Sequence, residues 1–166
     1  MGFGETIQIN SGNLIVTDPC YEVGSYNVEV PAVNGKWSVF DVTENHGSWG
    51  WRVEQLTAIH EDWFGAKVED TYDDEYLIGV DSGQAGIFDL KYYTDSRNTS
   101  ESTFYNECCN ITLKDDIGII KDKLGVVSSS GFGDGEYLVT VTKDRKTGEA
   151  VQVNIKFIEH EDEDDY

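Results

Sequence analysis

Apolar and polar residues alternate in short runs along most of this chain, and each run ends at a cluster of Gly, Asn, Asp or Ser. A period of two is typical of half-buried strands. Residues 7–9 and 14–17 flank the turn-rich tetrapeptide N-S-G-N, which predicts an opening hairpin. Further strands are predicted at residues 26–30, 37–39, 51–60, 76–80, 87–90, 125–127, 137–141 and 151–157, the last two joined by a hairpin loop.

One segment has a helical period instead. Phe104, Cys108 and Ile111 recur at the spacing of a helix face, and Ser102 is suited to cap its start. The pattern predicts one short helix over about residues 102–113, with its cysteines packed against a sheet. Strands of this kind with turns between them predict a mainly β fold, an antiparallel β-sandwich or partly open barrel that carries this helix.

The length of 166 residues is that of one domain. No linker or internal repeat interrupts the pattern, so residues 1–158 are predicted to form a single β-rich domain. The closing stretch E-H-E-D-E-D-D-Y, residues 159–166, is predicted to be a disordered acidic tail.

Charge is the strongest feature of the composition, with 32 acidic against 12 basic side chains and a formal net charge of -20. Proteins that bind nucleic acid directly use Lys and Arg on the phosphates, so nucleic acid is not an expected ligand. An acidic surface can instead imitate nucleic acid and occupy the basic cleft of another protein. The alternative is that the charge only keeps the protein soluble.

Three cysteines, two of them adjacent, are too few and too close for a disulfide framework, which favours a reducing compartment. No leader-like segment begins the sequence, and no apolar run approaches the ~20 residues of a membrane helix. We therefore expect a cytoplasmic protein with no membrane partner. The oligomeric state is not predictable from this pattern.

Three boxes in the sequence look familiar together: S-G-N-L-I-V-T-D-P-C (11–20), G-V-D-S-G-Q-A-G-I-F-D (79–89) and S-S-G-F-G-D-G-E-Y (129–137). In this order they resemble an uncharacterised family of bacterial and phage proteins. The resemblance spans nearly the whole chain, although the chain is shorter than many members and adds an acidic tail. It implies a bacterial or phage source, and host cytoplasm if phage-encoded, but no particular chemistry.

Three aspartates, Asp18, Asp81 and Asp134, fall at predicted strand ends beside Gly or Pro, where binding residues concentrate. We expect their loops to meet at one sheet edge. The loop around Asp134 has bare glycine amides that suit a ligand, but G-D-G is also ordinary turn chemistry. The predicted ligand-binding residues are these three together with Cys20, Ser82, Gln84, Ser130 and Tyr137.

Catalytic candidates are fewer. Cys20 would need a nearby imidazole such as His60 to become a nucleophile, and Ser82 lacks the G-x-S-x-G context of hydrolases. No metal site or cofactor is predicted, because CxxC, HxxxH and nucleotide-binding glycine motifs are all missing from the sequence. Trp49 and Trp51 alternate if extended, so one of them should face solvent and the other can close the core.

These observations favour a small acidic binding protein without turnover, which holds a basic host protein or a small polar ligand. The first alternative is a hydrolase or transferase that uses the carboxylate-lined edge with Cys20 or Ser82. The second is a structural or assembly protein.

Overall fold

A computed structural model describes residues 4–97 and 103–160 of the chain. Two helices, α1 (Leu90–Arg97) and α2 (Thr103–Asp115), and three single-turn 3-10 helices (Gly47–Trp49, Glu61–Trp63 and Val68–Asp70) interrupt the strands. The strands are β1 (Glu5–Ile9), β2 (Asn13–Thr17), β3 (Val28–Pro31), β4 (Gly35–Asn45), β5 (Trp51–His60), β6 (Thr71–Val80), β7 (Gln84–Asp89), β8 (Ile117–Ile119), β9 (Gly125–Ser129), β10 (Gly135–Asp144) and β11 (Ala150–Lys156).

The strands form two antiparallel sheets that face each other. The six-stranded sheet has the order β1-β4-β5-β11-β10-β6, and the five-stranded sheet has the order β3-β2-β7-β9-β8. A continuous apolar core, with Trp37 and Leu56 fully buried in it, lies between them. The prediction of a mainly β sandwich is confirmed, and the sheets are not closed into a barrel.

Both helices cover the outer face of the five-stranded sheet. Phe88 of β7 meets Tyr93 of α1 and Phe104 of α2 at ring distances of 5.3 and 5.4 Å, which forms a second, smaller core. The helix predicted at 102–113 is confirmed as α2, while Ser102 lies outside the described residues. α1 was missed, although Asp89 caps it by accepting a hydrogen bond from the Tyr92 amide at 3.0 Å.

The predicted opening hairpin is wrong. β1 pairs with β4 in one sheet, whereas β2 pairs with β3 and β7 in the other. Ile7 of β1 and Leu14 of β2 are both buried in the core between the sheets. The turn between them is therefore a corner that carries the chain across the sandwich, and the β6–β7 connection is a second corner of the same kind.

The topology consists of two equivalent halves. Strands β1 to β5 of the first half correspond in order to β6, β7, β9, β10 and β11 of the second, because each pairing in one half recurs in the other. The antiparallel pairs β2–β7 and β5–β11 join the halves, as a two-fold axis requires. The segment α1-α2-β8 is inserted only in the second half.

The expectation that the chain has no internal repeat is wrong, because the sequence contains a short one. Residues 7–18 and residues 78–89 share the pattern I-x-[I/V]-[N/D]-S-G-[N/Q]-x-x-[V/I]-x-D. In both copies the glycine after serine has a positive φ, 76° at Gly12 and 71° at Gly83, which glycine adopts without strain. The repeat marks the two equivalent corners of the sandwich.

A β-bulge lies at the same place in each half. The register shifts between Val42 and Thr43 on β4, which leaves Glu54 of β5 as the extra residue. It shifts again between Thr142 and Lys143 on β10, which leaves Val151 of β11 as the extra residue. The extra residue of a bulge moves the side chains that follow it to the opposite face of the strand. The strict alternation of a strand therefore does not hold along β5: beyond the bulge Leu56, Ala58 and His60 face the core, whereas Thr57 and Ile59 do not.

Candidate functional site

The three predicted aspartates do lie together. Asp18 follows β2 and is fully buried; its carboxylate accepts hydrogen bonds from the backbone amides of Asp81 and Ser82, both at 2.7 Å, on the β6–β7 corner. The Gly83 amide of the same corner donates to Asp134 at 2.9 Å. Three loops that are distant in sequence therefore meet at one edge.

The carboxylate of Asp18 has no capacity left for a ligand. Besides the two corner amides, it accepts the Ser82 hydroxyl at 2.6 Å and the Cys20 amide at 2.8 Å. An ionised carboxylate offers about four acceptor positions, and all four are filled. Asp18 thus fixes the corner between the two sheets.

The first half repeats this arrangement at its own corner. Asp89 at the end of β7 accepts the Asn10 and Ser11 amides at 2.7 and 2.8 Å, as Asp18 accepts Asp81 and Ser82. Because β2 and β7 are antiparallel neighbours, the end of each lies beside the start of the other, and each terminal aspartate holds the corner that leads into its neighbour. Asn34 accepts the Gly12 amide at 2.7 Å, as Asp134 accepts that of Gly83.

The glycine-rich loop that contains Asp134 is a closed turn. The Gly133 amide donates to the Ser130 carbonyl at 3.0 Å, and the Ser130 hydroxyl donates to the Gly133 carbonyl at 2.8 Å. The hydroxyl of Tyr137 lies 2.5 Å from that same carbonyl, and Trp37 donates in the equivalent way to Val33. Ser130 and Tyr137 therefore have structural partners, and their predicted ligand-binding role remains a prediction.

Helix α2 adds residues to this edge that the sequence alone did not identify. The side-chain amide of Gln84 donates to Cys109 at 3.3 Å and its oxygen accepts from Thr112 at 2.9 Å. Burial and the neighbouring Cys109 thiol raise the pKa of the Tyr105 hydroxyl on the same helix. The helical period of α2 was visible, but not which part of the sheet it would cover.

Cys20 lacks the surroundings of a nucleophile. Partial burial and the negative charges of Asp18 and Asp81 raise the pKa of its thiol to about 12. His60, the imidazole proposed to activate it, lies in the six-stranded sheet and contacts the Asn34 carbonyl at 2.8 Å. Because the thiolate is the reactive form, Cys20 is a poor nucleophile at neutral pH.

We expect iodoacetamide at pH 7.5 to alkylate Cys20 at least tenfold more slowly in the folded protein than in the urea-unfolded chain, because the fold disfavours the thiolate. Peptide mass spectrometry over time measures the rate, and a free-cysteine peptide added to both reactions controls for the effect of urea on the reagent. Equal rates in the two states would return Cys20 to the list of candidate nucleophiles.

A second polar cluster, not predicted from the sequence, surrounds Glu54. This bulge residue is only 3% exposed, and its two carboxylate oxygens bind His46 and His160, each at 2.7 Å. The imidazole rings are stacked at 6.4 Å. Burial raises the pKa of Glu54, but the hydrogen bonds from His160 and His46 outweigh it and hold the pKa below its ordinary value.

Val151 at the equivalent bulge of the other half provides an internal comparison. It is 1% exposed and packs as an ordinary apolar side chain. The bulge therefore does not require a carboxylate. Glu54 and its two histidines, which we call the glutamate clasp, occur at only one of the two equivalent bulges, whereas a terminal aspartate occurs at both corners.

Next to the clasp is a group of four side chains that we call the aromatic tip: His46, Trp49, Arg52 and Phe132. Phe132 contacts His46 at 5.2 Å and Trp49 at 6.0 Å, both edge to face, and the Arg52 guanidinium lies 5.4 Å from its ring centre. Trp49 is 67% exposed and Phe132 52%. Trp51 is also 64% exposed, so neither Trp49 nor Trp51 closes the core.

An acidic cleft opens between the two sheets. It has a volume of about 590 Å³ and lies between β1, β4 and β5 on one side and the α2–β8 connection on the other. Glu5, Asp41, Asp115 and Asp116 line it without a basic residue among the lining side chains.

Within residues 4–97 and 103–160, no three His, Cys, Asp or Glu side chains are placed to hold a metal ion. None of the helices in the described part of the chain is long and apolar enough to cross a membrane. No family model, curated protein or solved structure matches the sequence or the fold. The resemblance to bacterial and phage proteins thus remains an expectation.

Proposed function

We propose that this chain is a binding protein without turnover whose partner is a basic protein. The observation that supports this most is an acidic surface that the protein itself does not neutralise. Among the described residues, Lys and Arg side chains form ion pairs with carboxylates only at Lys91–Asp95 and Lys143–Asp74. Without the closing stretch, the chain still has 26 acids against 12 basic residues.

The surroundings of the candidate nucleophiles support the absence of turnover. Cys20 has a raised pKa, and the Ser82 hydroxyl donates to Asp18, a buried carboxylate that is saturated by other donors. All three histidines are engaged elsewhere, His46 and His160 with Glu54 and His60 with Asn34. A serine or cysteine nucleophile needs a base within hydrogen-bond reach.

The bacterial and phage resemblance favours a host protein as the partner, for example a nuclease whose basic cleft the acidic side chains occupy in place of nucleic acid. Unpaired carboxylates create a long-range field that speeds the encounter with a basic protein. The acidic cleft supports a second candidate, a small cationic ligand held between Asp41 and Asp115.

A capture experiment tests the proposal. The protein is immobilised, exposed to bacterial lysate at 50 mM and at 400 mM NaCl, and compared with immobilised polyglutamate, which has the charge without the fold. We expect a basic protein that the chain retains at low salt at least tenfold better than at high salt, because the Debye length shortens from roughly 14 to 5 Å, and that polyglutamate does not retain.

Capture that is insensitive to salt, or that polyglutamate reproduces, contradicts a specific basic partner. Thermal stabilisation of the protein by spermidine, without a captured protein, shifts the assignment to the acidic cleft. Loss of that stabilisation in the double variant Asp41→Asn, Asp115→Asn would then place the small ligand there.

A further inference from the structure

We propose that the aromatic tip is the surface on which an arginine-bearing segment of the partner docks. This inference rests on the proposed function and names the part of the protein that contacts the basic partner. Interfaces concentrate their binding energy in a few Trp, Tyr and Arg side chains, and the tip combines an exposed Trp49 and Phe132 with Arg52.

The tip is held in place before any partner arrives. Arg52 donates to the Trp49 carbonyl at 2.8 Å and to the Gly131 carbonyl at 3.4 Å, which ties the β4–β5 loop to the glycine-rich loop. The clasp fixes His46, whose ring supports Phe132. Exposed rings that are already ordered lose less conformational entropy on binding than free ones.

The fold alone does not account for this arrangement. The equivalent β10–β11 hairpin of the second half ends in the charged loop K-D-R-K-T-G-E, and its bulge residue is Val151. The same strands and the same bulge are thus built without a tip or a clasp. Only the bulge of β5 combines a buried carboxylate with two histidines and exposed rings, and Phe132 and His160 reach it from the second half of the chain.

The charge around the tip identifies the occupant. Glu44 lies opposite Arg52 in the β4–β5 register, and the exposed residues Asp134, Glu136 and Glu159 flank Phe132 and His160 in sequence. The guanidinium of Arg52 is itself engaged by backbone carbonyls and a ring. Exposed aromatic faces on a surface with such an excess of carboxylates suit a guanidinium, which stacks on rings and binds carboxylates, better than they suit a lysine ammonium.

Fluorescein-labelled nona-arginine and nona-lysine are the probes. At 150 mM NaCl we expect the wild type to bind nona-arginine at least threefold more tightly than nona-lysine. Phe132→Ala and Trp49→Ala should weaken nona-arginine binding about 3- to 30-fold, the range of a cation–π contact. Phe64→Ala is the matched control, because Phe64 is 51% exposed and also contacts another ring, that of Phe40, away from the tip; its affinity should stay within twofold of wild type.

Far-UV circular dichroism of each variant establishes that the comparison is between folded proteins. If the wild type binds nona-arginine but the tip variants bind as the Phe64 control does, the docking surface lies elsewhere and only this inference fails. If the wild type binds neither peptide at 50 mM NaCl, the proposed function fails with it.

Discussion

Replacing Asp18 with alanine is expected to lower the free energy of unfolding by about 4 kcal/mol, the upper end of single-substitution effects. The change leaves the part-buried amides of Cys20, Asp81 and Ser82 without their acceptor. Each unsatisfied buried donor costs about 1–3 kcal/mol, partly recovered when water enters the corner. Urea unfolding followed by tryptophan fluorescence at pH 7 measures the loss.

The two equivalent corners supply the control for this prediction. Asp89→Ala should cost a similar amount, because Asp89 holds the Asn10 and Ser11 amides and caps α1. Asn34→Ala should cost less than about 1.5 kcal/mol, since Asn34 is exposed and accepts a single amide. An Asp18→Ala protein within 1 kcal/mol of wild type would mean that the corner does not depend on this carboxylate.

The alternation of apolar residues predicted where most strands lie along the chain, but not which strands pair with each other. The strands predicted at residues 7–9 and 14–17 are present as β1 and β2, and N-S-G-N is a turn between them. A period of two shows which face of a strand is apolar, but it does not distinguish a hairpin within one sheet from a corner between two. The signal that could have distinguished them is the repeat, in which each copy ends in an aspartate that binds the other copy's turn.

The residues of the candidate site, too, were only partly predictable from the sequence. The sequence did predict that the loops of three aspartates, Asp18, Asp81 and Asp134, meet at one edge. Each aspartate lies at a strand end, and neighbouring strands bring such ends together. Glu54 could not be found by pattern, since its bulge breaks the alternation of β5 and one partner, His160, lies in a stretch that the composition assigns to the tail. Local periodicity does not report contacts between segments so far apart in the sequence.

The duplicated architecture separates structural features from functional candidates. Features present in both halves, such as the corner aspartates and the ring contacts of Trp37 with His60 and Tyr137 with Phe157, belong to the construction of the sandwich. Features present at only one of the two equivalent positions, such as the glutamate clasp and the aromatic tip, are not needed for it. Binding assays should therefore concentrate on the second group.

Glu54 provides the sharpest test of this division. We expect Glu54→Gln to lower the free energy of unfolding at pH 7 by about 2–3 kcal/mol, because the amide keeps the size of the side chain but loses the charge and sets an NH₂ group against an imidazole donor. Glu54→Val should cost less than the glutamine variant, since Val151 already fills the equivalent bulge and a hydrophobic residue removes the buried charge altogether.

The pH dependence gives an independent readout of the same group. The pKa of Glu54 is lower in the folded protein than its ordinary value of 4.5, so the unfolded chain takes up this proton first as the pH falls. The stability that Glu54 contributes is therefore complete above about pH 5 and is lost as the pH falls through the folded pKa. Urea unfolding of wild type and Glu54→Val between pH 7 and pH 3 should show a smaller acid loss in the variant. If the free energy of unfolding falls equally in the two proteins between pH 7 and pH 3, the acid sensitivity comes from other carboxylates and not from the glutamate clasp.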